Sequence, residues 1–148
     1  MESCMKNEEI EGYEPLLEGL KELIHKKQYQ VLKLINSETI NLYWEIGEEI
    51  YKQQEEEGWG KSIVQVLSTE LQKEFPGAKG YSAANLWRMR NFYLTYRDSK
   101  KLAPLVREIS WNNNIIIMEK CKDNLQREFY IRMTKRYGWT KRVLANSV

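Results

Sequence analysis

The feature that most constrains the fold of this 148-residue chain is the turn sequence PGAKGYS at residues 76–82, which separates two amphipathic segments. Pro76 and Gly77 end a helix, because proline lacks an amide donor and glycine leaves the helical conformation readily. Ser82 suits the start of the next helix, since its hydroxyl can accept a hydrogen bond from a first-turn amide. The pattern predicts two helices joined by a tight turn, as in a helix-turn-helix.

The second of these helices is predicted at about residues 82–96, and its two sides differ in chemistry. The side expected to face the core is apolar and consists of Leu86, Met89, Tyr93 and Tyr96. The opposite side is small, polar and cationic, and consists of Ala84, Arg88, Asn91 and Thr95, with Asn85 at its edge. No Asp or Glu occurs from residue 79 to 97. A helix with such an outer side is a candidate reader of nucleic acid.

Other segments also have helical periodicity. A long helix is predicted from about residue 26 to 57, and residues 13–25 form either a preceding helix or its beginning. The apolar seam of this long helix consists of Leu32, Ile35, Leu42 and Ile46, with Thr39 in the missing position. A helix at about residues 61–75 has one apolar side, formed by Ile63, Val64, Leu67, Leu71 and Phe75.

The C-terminal half is predicted to continue in the same way. Residues 98–118 form a short hairpin or another helix. A helix at about residues 124–137 carries apolar residues every four positions on one side, namely Leu125, Phe129, Met133 and Tyr137. Gly138 ends it, and Thr140 caps a final helix. The predicted fold class is all-α or mainly α, with a long N-terminal helix and a helix-turn-helix or winged-helix-like bundle. Residues 1–24 are an extension or short helix, and residues 25–148 are the main domain.

Composition and charge narrow the class of protein. Aliphatic and aromatic residues make up 42% of the chain and charged residues 30%, which is typical of a globular domain. The net charge of +2 hides a separation, because residues 8–57 alone carry a balance of −8 and the remainder is basic. A basic region of this kind attracts anions. No apolar run approaches the roughly 20 residues of a membrane span, and we expect no membrane association. Cys4 and Cys121 are predicted to be reduced thiols, which indicates a cytoplasmic protein.

Catalytic and metal-binding patterns are weak. Asp98-Ser99-Lys100 is the only acidic-x-Lys triplet of nuclease type, and it has no further acidic ligand nearby in the sequence. We interpret it as a solvated loop. The glycines at residues 58–61 lack the spacing of a phosphate loop. We therefore expect no catalytic residue, no metal, no cofactor and no small-molecule substrate.

The candidate DNA-binding residues lie on and around the cationic helix. Arginine can form two hydrogen bonds with guanine, asparagine can do the same with adenine, and lysine can contact phosphates. The candidates are Lys79, Asn85, Arg88, Arg90, Asn91, Lys100 and Lys101. A basic C-terminal helix adds phosphate contacts or binds an acidic partner, through Arg127, Arg132, Lys135 and Arg136. The alternative interpretation of the cationic helix is a solvated face held by salt bridges.

Four separated segments together resemble the N-terminal domain of YhcG-type proteins: GWGKSIVQVLSTELQKEFPG at 58–77, GYSAANLWRMRNFYLTY at 80–96, ISW at 109–111 and EFYIRMTKRYGWTKRVL at 128–144. The resemblance covers about residues 25–148. It implies a winged-helix-like DNA-binding domain, which in that family precedes a PD-(D/E)XK nuclease domain.

The resemblance implies binding without cleavage, because the chain ends at about the place where the N-terminal domain ends and no nuclease residue can be carried over. Where such proteins commonly have a histidine after the ISW-type tryptophan, this chain has Asn112, Asn113 and Asn114. The expected function is therefore non-catalytic binding of duplex DNA. The alternative is a protein–protein interaction module, in which the seam of the long helix pairs with a second copy.

Overall fold

The computed structural model describes residues 10–148, and in that range it contains seven α-helices and no β-strand. The helices are α1 (Tyr13–Glu57), α2 (Lys61–Glu74), α3 (Ala83–Tyr96), α4 (Leu102–Leu105), α5 (Trp111–Lys120), α6 (Asn124–Tyr137) and α7 (Lys141–Ser147). A 3₁₀ turn at Val106–Glu108 connects α4 to α5. The all-α fold and the long N-terminal helix are confirmed. Residues 98–118 are mainly helical rather than a hairpin, so the described residues hold no strand pair that would form a wing.

Several helix ends have the hydrogen bonds that their sequence indicates. The Ser82 hydroxyl accepts from the Asn85 amide at 3.1 Å, and α3 begins at the next residue. The Thr140 hydroxyl accepts from the Val143 amide at 3.3 Å and caps α7. Gly138 ends α6 in the left-handed region, with φ of 62°, which glycine adopts without steric cost. These three cap predictions are confirmed.

The chain divides into two compact units, one up to Ile35 and the other from Asn36 to Val148. Helix α1 begins at Tyr13, so residues 13–25 are the beginning of the long helix. No side chain from residue 10 to 35 is buried. The exposed side chains of this first unit include the large apolar residues Leu16, Leu20, Leu23, Ile24 and Leu32.

In the second unit, α1 and α3 approach each other backbone to backbone at Gly47. A Cβ atom at this position would lie 2.0 Å from the carbonyl oxygen of Met89. Because no side chain fits there, only glycine permits this crossing. The other buried residues of α1 are Ile40 and Ile50. The predicted seam is therefore not the side that α1 buries within this unit: Leu42 is exposed and Ile46 only partly buried, because the approach of α3 at Gly47 selects the covered side.

Helix α3 lies at the centre of the second unit and contributes to two groups of buried side chains. Leu86 and Met89 pack with residues of α1 and α2. Phe92 and Tyr96 pack with residues of the C-terminal helices, including Ile117, Ile131 and Leu144. The sequence predicted Tyr93 in place of Phe92. Tyr93 is only partly buried, because its ring lies against Trp44 and Tyr51 of α1 while its polar hydroxyl reaches Glu48.

The apolar sides predicted for α2 and α6 are also partly wrong. On α2 the buried residues are Val64 and Ser68, while Ile63 and Phe75 are exposed. On α6 the buried residues are Ile131 and Thr134. Most of the predicted α6 stripe faces solvent instead. Met133 is partly buried, and the exposed members are Leu125, Phe129 and Tyr137. Spacing alone did not reveal which of two sides each helix buries.

A buried hydroxyl without a partner leads to a first prediction. The Tyr96 side chain is fully buried, and its hydroxyl has no hydrogen-bond partner among residues 10–148. Burial raises the pKa of this phenol, so it stays neutral at all ordinary pH values. We expect Tyr96→Phe to stabilise the fold by about 0.5–1 kcal/mol, because it removes an unpaired buried polar group.

Urea unfolding followed by circular dichroism measures this effect. The matched control is Tyr93→Phe, since the Tyr93 hydroxyl donates to a Glu48 carboxylate oxygen at 3.4 Å and its loss should be neutral or slightly destabilising. A loss of stability in Tyr96→Phe larger than in the control would contradict the prediction.

Candidate nucleic-acid interface

The outer side of α3 faces solvent, as its sequence indicates. Ala84 and Asn91 are exposed, and Arg88 and Thr95 are partly exposed. The Thr95 hydroxyl donates to the backbone carbonyl oxygen of Asn91 at 2.7 Å, so it is used within the helix. Small and polar side chains therefore surround Arg88 on this side.

Arg88 forms an ion pair but remains accessible. Its Nε lies 3.2 Å from Oε2 of Glu119, a residue of α5. The two side chains are 41% and 49% exposed, respectively, so neither is desolvated by the contact. An exposed pair of this kind contributes little to stability and can exchange its partner. Arg88 can therefore still bind an anion that approaches from solvent.

Arg90 lies nearer to α1 and is more strongly held. Its Nε donates to the Gln54 side-chain oxygen, and its guanidinium lies 5.3 Å from the centre of the Trp87 ring. A second nitrogen donates to Oδ1 of Asn91 at 3.0 Å. The two candidates Arg90 and Asn91 are therefore bonded to each other, and no carboxylate neutralises this guanidinium within the described part of the chain.

Asn85 has a structural role that the sequence did not reveal. Its Nδ2 donates to the Gly80 carbonyl oxygen at 2.7 Å, and its Oδ1 accepts from Nε1 of Trp111 at 2.8 Å. The side chain thus joins the turn before α3 to the beginning of α5. A paired contact with adenine would have to replace both bonds.

The three candidate lysines differ in their surroundings. Lys79 and Lys100 are exposed and have no ion-pair partner within residues 10–148. Lys101 lies 3.0 Å from a carboxylate oxygen of Glu128, whose other oxygen lies 2.8 Å from Nε of Arg132. Hydrogen bonds from Arg132 and Lys101 lower the pKa of Glu128 below its ordinary value. Lys101 is therefore partly neutralised, whereas Lys79 and Lys100 keep their full charge.

A cleft of about 470 Å³ lies between the beginnings of α3 and α5 and brings three candidates together. On the α3 side it is lined by Lys79, Gly80, Ser82, Asn85 and Arg88. On the α5 side it is lined by Ser110, Trp111, Asn112 and Ile115, with Tyr43 of α1 completing the wall. The candidates outside this cleft are Arg90, Asn91, Lys100 and Lys101.

The α5 side of the cleft was missed by sequence reasoning. Ser110 caps α5, since its hydroxyl accepts from the Asn113 amide at 3.1 Å, and this cap was a recognisable signal. The three asparagines then separate: Asn112 is exposed and lines the cleft, whereas Asn113 and Asn114 are buried. Nδ2 of Asn113 donates to the Trp139 carbonyl oxygen at 3.0 Å. Only the first of the three therefore lines the cleft.

The basic C-terminal helix is largely engaged by its own protein. The Arg127 guanidinium donates to the carbonyl oxygens of Met118 and Cys121 at the end of α5, at 3.4 and 3.2 Å. Lys135 lies 2.9 Å from a carboxylate oxygen of Glu108. Together with the pairing of Arg132, these contacts leave α6 with less free positive charge than its sequence indicates.

Within residues 10–148, no three side chains of His, Cys, Asp or Glu are grouped so as to hold a metal ion. Asp98 lies in a turn, 3.8 Å from the guanidinium of Arg97. Cys121 is a buried free thiol whose pKa burial raises, and Cys4 lies outside the described residues. None of the helices described is both long enough and apolar enough to cross a membrane.

Comparison with known proteins identifies the family. The family model of the DUF1016 N-terminal domain matches residues 19–148, which is most of the chain. The match is to the N-terminal domain alone. No curated protein and no solved structure matches the chain. The range includes α2, α3, the cleft and α5, and it contains all four segments that carried the resemblance. This chain therefore belongs to the DUF1016 family, to which the YhcG-type proteins belong, and residues 19–148 are its N-terminal domain.

Proposed function

We propose that this domain binds DNA without cleaving it, through Lys79, Arg88 and the outer side of α3. The observation that supports the proposal best is the meeting of Lys79 and Arg88 at one open cleft, beside a helix with no acidic residue from position 79 to 97. Cations that remain accessible can neutralise phosphates and release counterions. In this proposal Asn91, whose exposed side chain lies on the same side of α3, contacts base edges.

The helices α2 and α3 form the helix-turn-helix of this proposal. The Ser68 hydroxyl of α2 donates to the Tyr81 carbonyl oxygen at 2.6 Å, and this bond holds the turn before α3. Lys100 and Lys101 follow α3 and add contacts to flanking phosphates. In the wider family, this role would hold DNA for a nuclease domain. We place the protein in the cytoplasm, where a thiol such as that of Cys121 stays reduced.

Titration of fluorescent duplex DNA at several salt concentrations tests the proposal. For Lys79→Ala combined with Arg88→Ala, we expect affinity to fall on the order of a hundredfold, because charge-assisted hydrogen bonds contribute about 1.5 kcal/mol or more each and every 1.4 kcal/mol is about tenfold. The slope of log affinity against log salt should decrease by about 2 if each residue contacts one phosphate. Both side chains lie at the surface, so the fold should persist.

Two further variants make the test specific. Lys26→Ala combined with Lys27→Ala removes the same charge from exposed positions of the acidic segment and should leave affinity nearly unchanged. Glu119→Gln releases Arg88 from its ion pair and should strengthen binding. Equal losses in the two double variants, or weaker binding in Glu119→Gln, would contradict a direct role for Arg88.

A second candidate function is self-association, supported by exposed apolar residues of α1. Leu32 is 65% exposed in the first unit, and Leu42 is exposed in the second. Apolar residues of a helix seam that face solvent suit pairing with another chain. Sedimentation velocity of the protein and of Leu32→Lys distinguishes the candidates. Self-association would be favoured if the unchanged protein forms a dimer and binds no DNA, and if Leu32→Lys dissociates that dimer.

A further inference from the structure

We propose that the cleft between the beginnings of α3 and α5 binds a terminal phosphate monoester of a DNA strand. This inference deepens the proposed DNA binding and rests on it. It assigns the cleft a ligand that continuous duplex does not offer, so the domain would prefer phosphorylated strand ends.

The charge around the cleft favours a dianion. Lys79 is exposed and unpaired within the described residues, and Arg88 is offset by Glu119 at 3.2 Å. The N-caps of α3 and α5, Ser82 and Ser110, both line the cleft, and each helix beginning adds about half a positive charge. Lys79, the neutral Arg88–Glu119 pair and the two helix beginnings together supply about two positive charges. A terminal phosphate carries about −1.5 to −2 at neutral pH, whereas a phosphodiester carries a single negative charge.

Hydrogen-bond donors are available for the same group. Each cap hydroxyl accepts from one amide, that of Asn85 or of Asn113, so each hydroxyl hydrogen can be donated. First-turn amides that precede the capped ones have no partner within a helix. Nδ2 of Asn112 is a further donor on the exposed wall. The cleft therefore brings together two cationic side chains from α3 and the turn before it and polar donors from the beginnings of α3 and α5.

The size of the cleft suits the phosphorylated end of a strand. Its volume of about 470 Å³ lies within the range of about 300–1,000 Å³ that is usual for small-molecule pockets. A phosphate together with part of its nucleotide fits this volume. A backbone phosphodiester has two non-bridging oxygens and a terminal monoester has three, so the terminal group can meet more of the donors in the cleft. Tyr43, Trp111 and Ile115 supply an apolar part of the wall for the attached sugar or base.

Asn112→Asp tests the proposal without threatening the fold. The new carboxylate would place a negative charge in the cleft and repel a phosphate. Asn112 is exposed and lies in the first turn of α5, where an acidic residue is favoured by the helix dipole. The matched control is Asn146→Asp, the same change at an exposed position of α7. Thermal unfolding of both variants confirms that they remain folded.

The experiment compares binding of short DNA duplexes with 5′-phosphate, 3′-phosphate or hydroxyl ends and of a closed circular duplex, with inorganic phosphate as competitor. We expect phosphorylated ends to bind about tenfold more tightly than hydroxyl ends. Asn112→Asp should remove this difference, whereas Asn146→Asp should retain it. Millimolar inorganic phosphate should compete with the phosphorylated ends, and such competition would show that the phosphate group itself is recognised.

The failures of the two proposals are distinguishable. Equal affinity for phosphorylated, hydroxyl and circular DNA would overturn the end preference and leave the proposed DNA binding intact. An end preference that persists in Asn112→Asp would overturn the assignment to this cleft. Absence of binding to every DNA would overturn the proposed function. Tight binding of inorganic phosphate alone would then assign the cleft to a free anion and overturn the strand-end ligand.

Discussion

Gly47→Ala is expected to destabilise the fold by about 3 kcal/mol or more, at the upper end of what overpacking costs. The added Cβ would lie 2.0 Å from the Met89 carbonyl oxygen and 3.0 Å from the Arg90 amide nitrogen. Both are backbone atoms of α3, so no side-chain rotation relieves the clash. The two helices would have to separate, which would loosen the packing around the buried Met89.

Gly19→Ala is the matched control, because it makes the same change in the same helix. A Cβ at Gly19 meets nothing within 4 Å, and alanine is the better helix former by about 0.5–1 kcal/mol. Urea unfolding should therefore show a large loss at Gly47 and a neutral or small gain at Gly19. A similar, small effect at both positions would show that α1 and α3 do not cross at Gly47.

The second large effect is expected for Asn114→Asp, which keeps the shape of a fully buried side chain but changes its charge. Nδ2 of Asn114 donates to the carbonyl oxygens of Val106 and Ser110 at 2.8 and 3.1 Å. A carboxylate would face these oxygens without a donor or a cation. We expect a loss of about 3–5 kcal/mol at neutral pH, the usual cost of an uncompensated buried charge.

This loss should depend on pH with a definite sign. Burial raises the pKa of the new carboxyl in the folded state above its value in the unfolded state. The folded protein then binds more protons, so part of the lost stability returns as pH falls through the raised pKa. Chemical unfolding at about pH 5 and pH 7 measures the difference. Asn112→Asp is the control, because its exposed carboxylate should leave stability nearly unchanged at both values.

The comparison of Asn112→Asp with Asn114→Asp also bears on the cleft. Asn112 and Asn114 are two residues apart in the sequence, yet one faces solvent and the other is fully buried. A carboxylate is thus expected to remove the preference for phosphorylated ends at the first position and to destabilise the fold at the second. A larger loss of stability in Asn112→Asp than in Asn114→Asp would contradict the placement of α5 against the rest of the second unit.

Part of the candidate site could be predicted from the chain alone. Lys79, Asn85 and Arg88 were chosen for the turn and helix that contain them, and they do meet at one cleft. Their partners could not be found in this way. Trp111 and Glu119 lie about 25–30 residues further along the chain, and only the packing of α5 against α3 brings them to Asn85 and Arg88.

The sequence by itself determined several of the helix ends, because caps and breakers act within a few residues. Ser82, Thr140 and Gly138 set their helix ends through local hydrogen bonds and backbone conformation. Only the tertiary structure decided which side of each helix is buried. Phe92 rather than Tyr93 is fully covered, and Phe129 faces solvent, because burial depends on which distant helix arrives. At Gly47 the buried side of α1 is set by the absence of a Cβ atom, which lets the α3 backbone approach. Hydrophobic periodicity does not detect such a position.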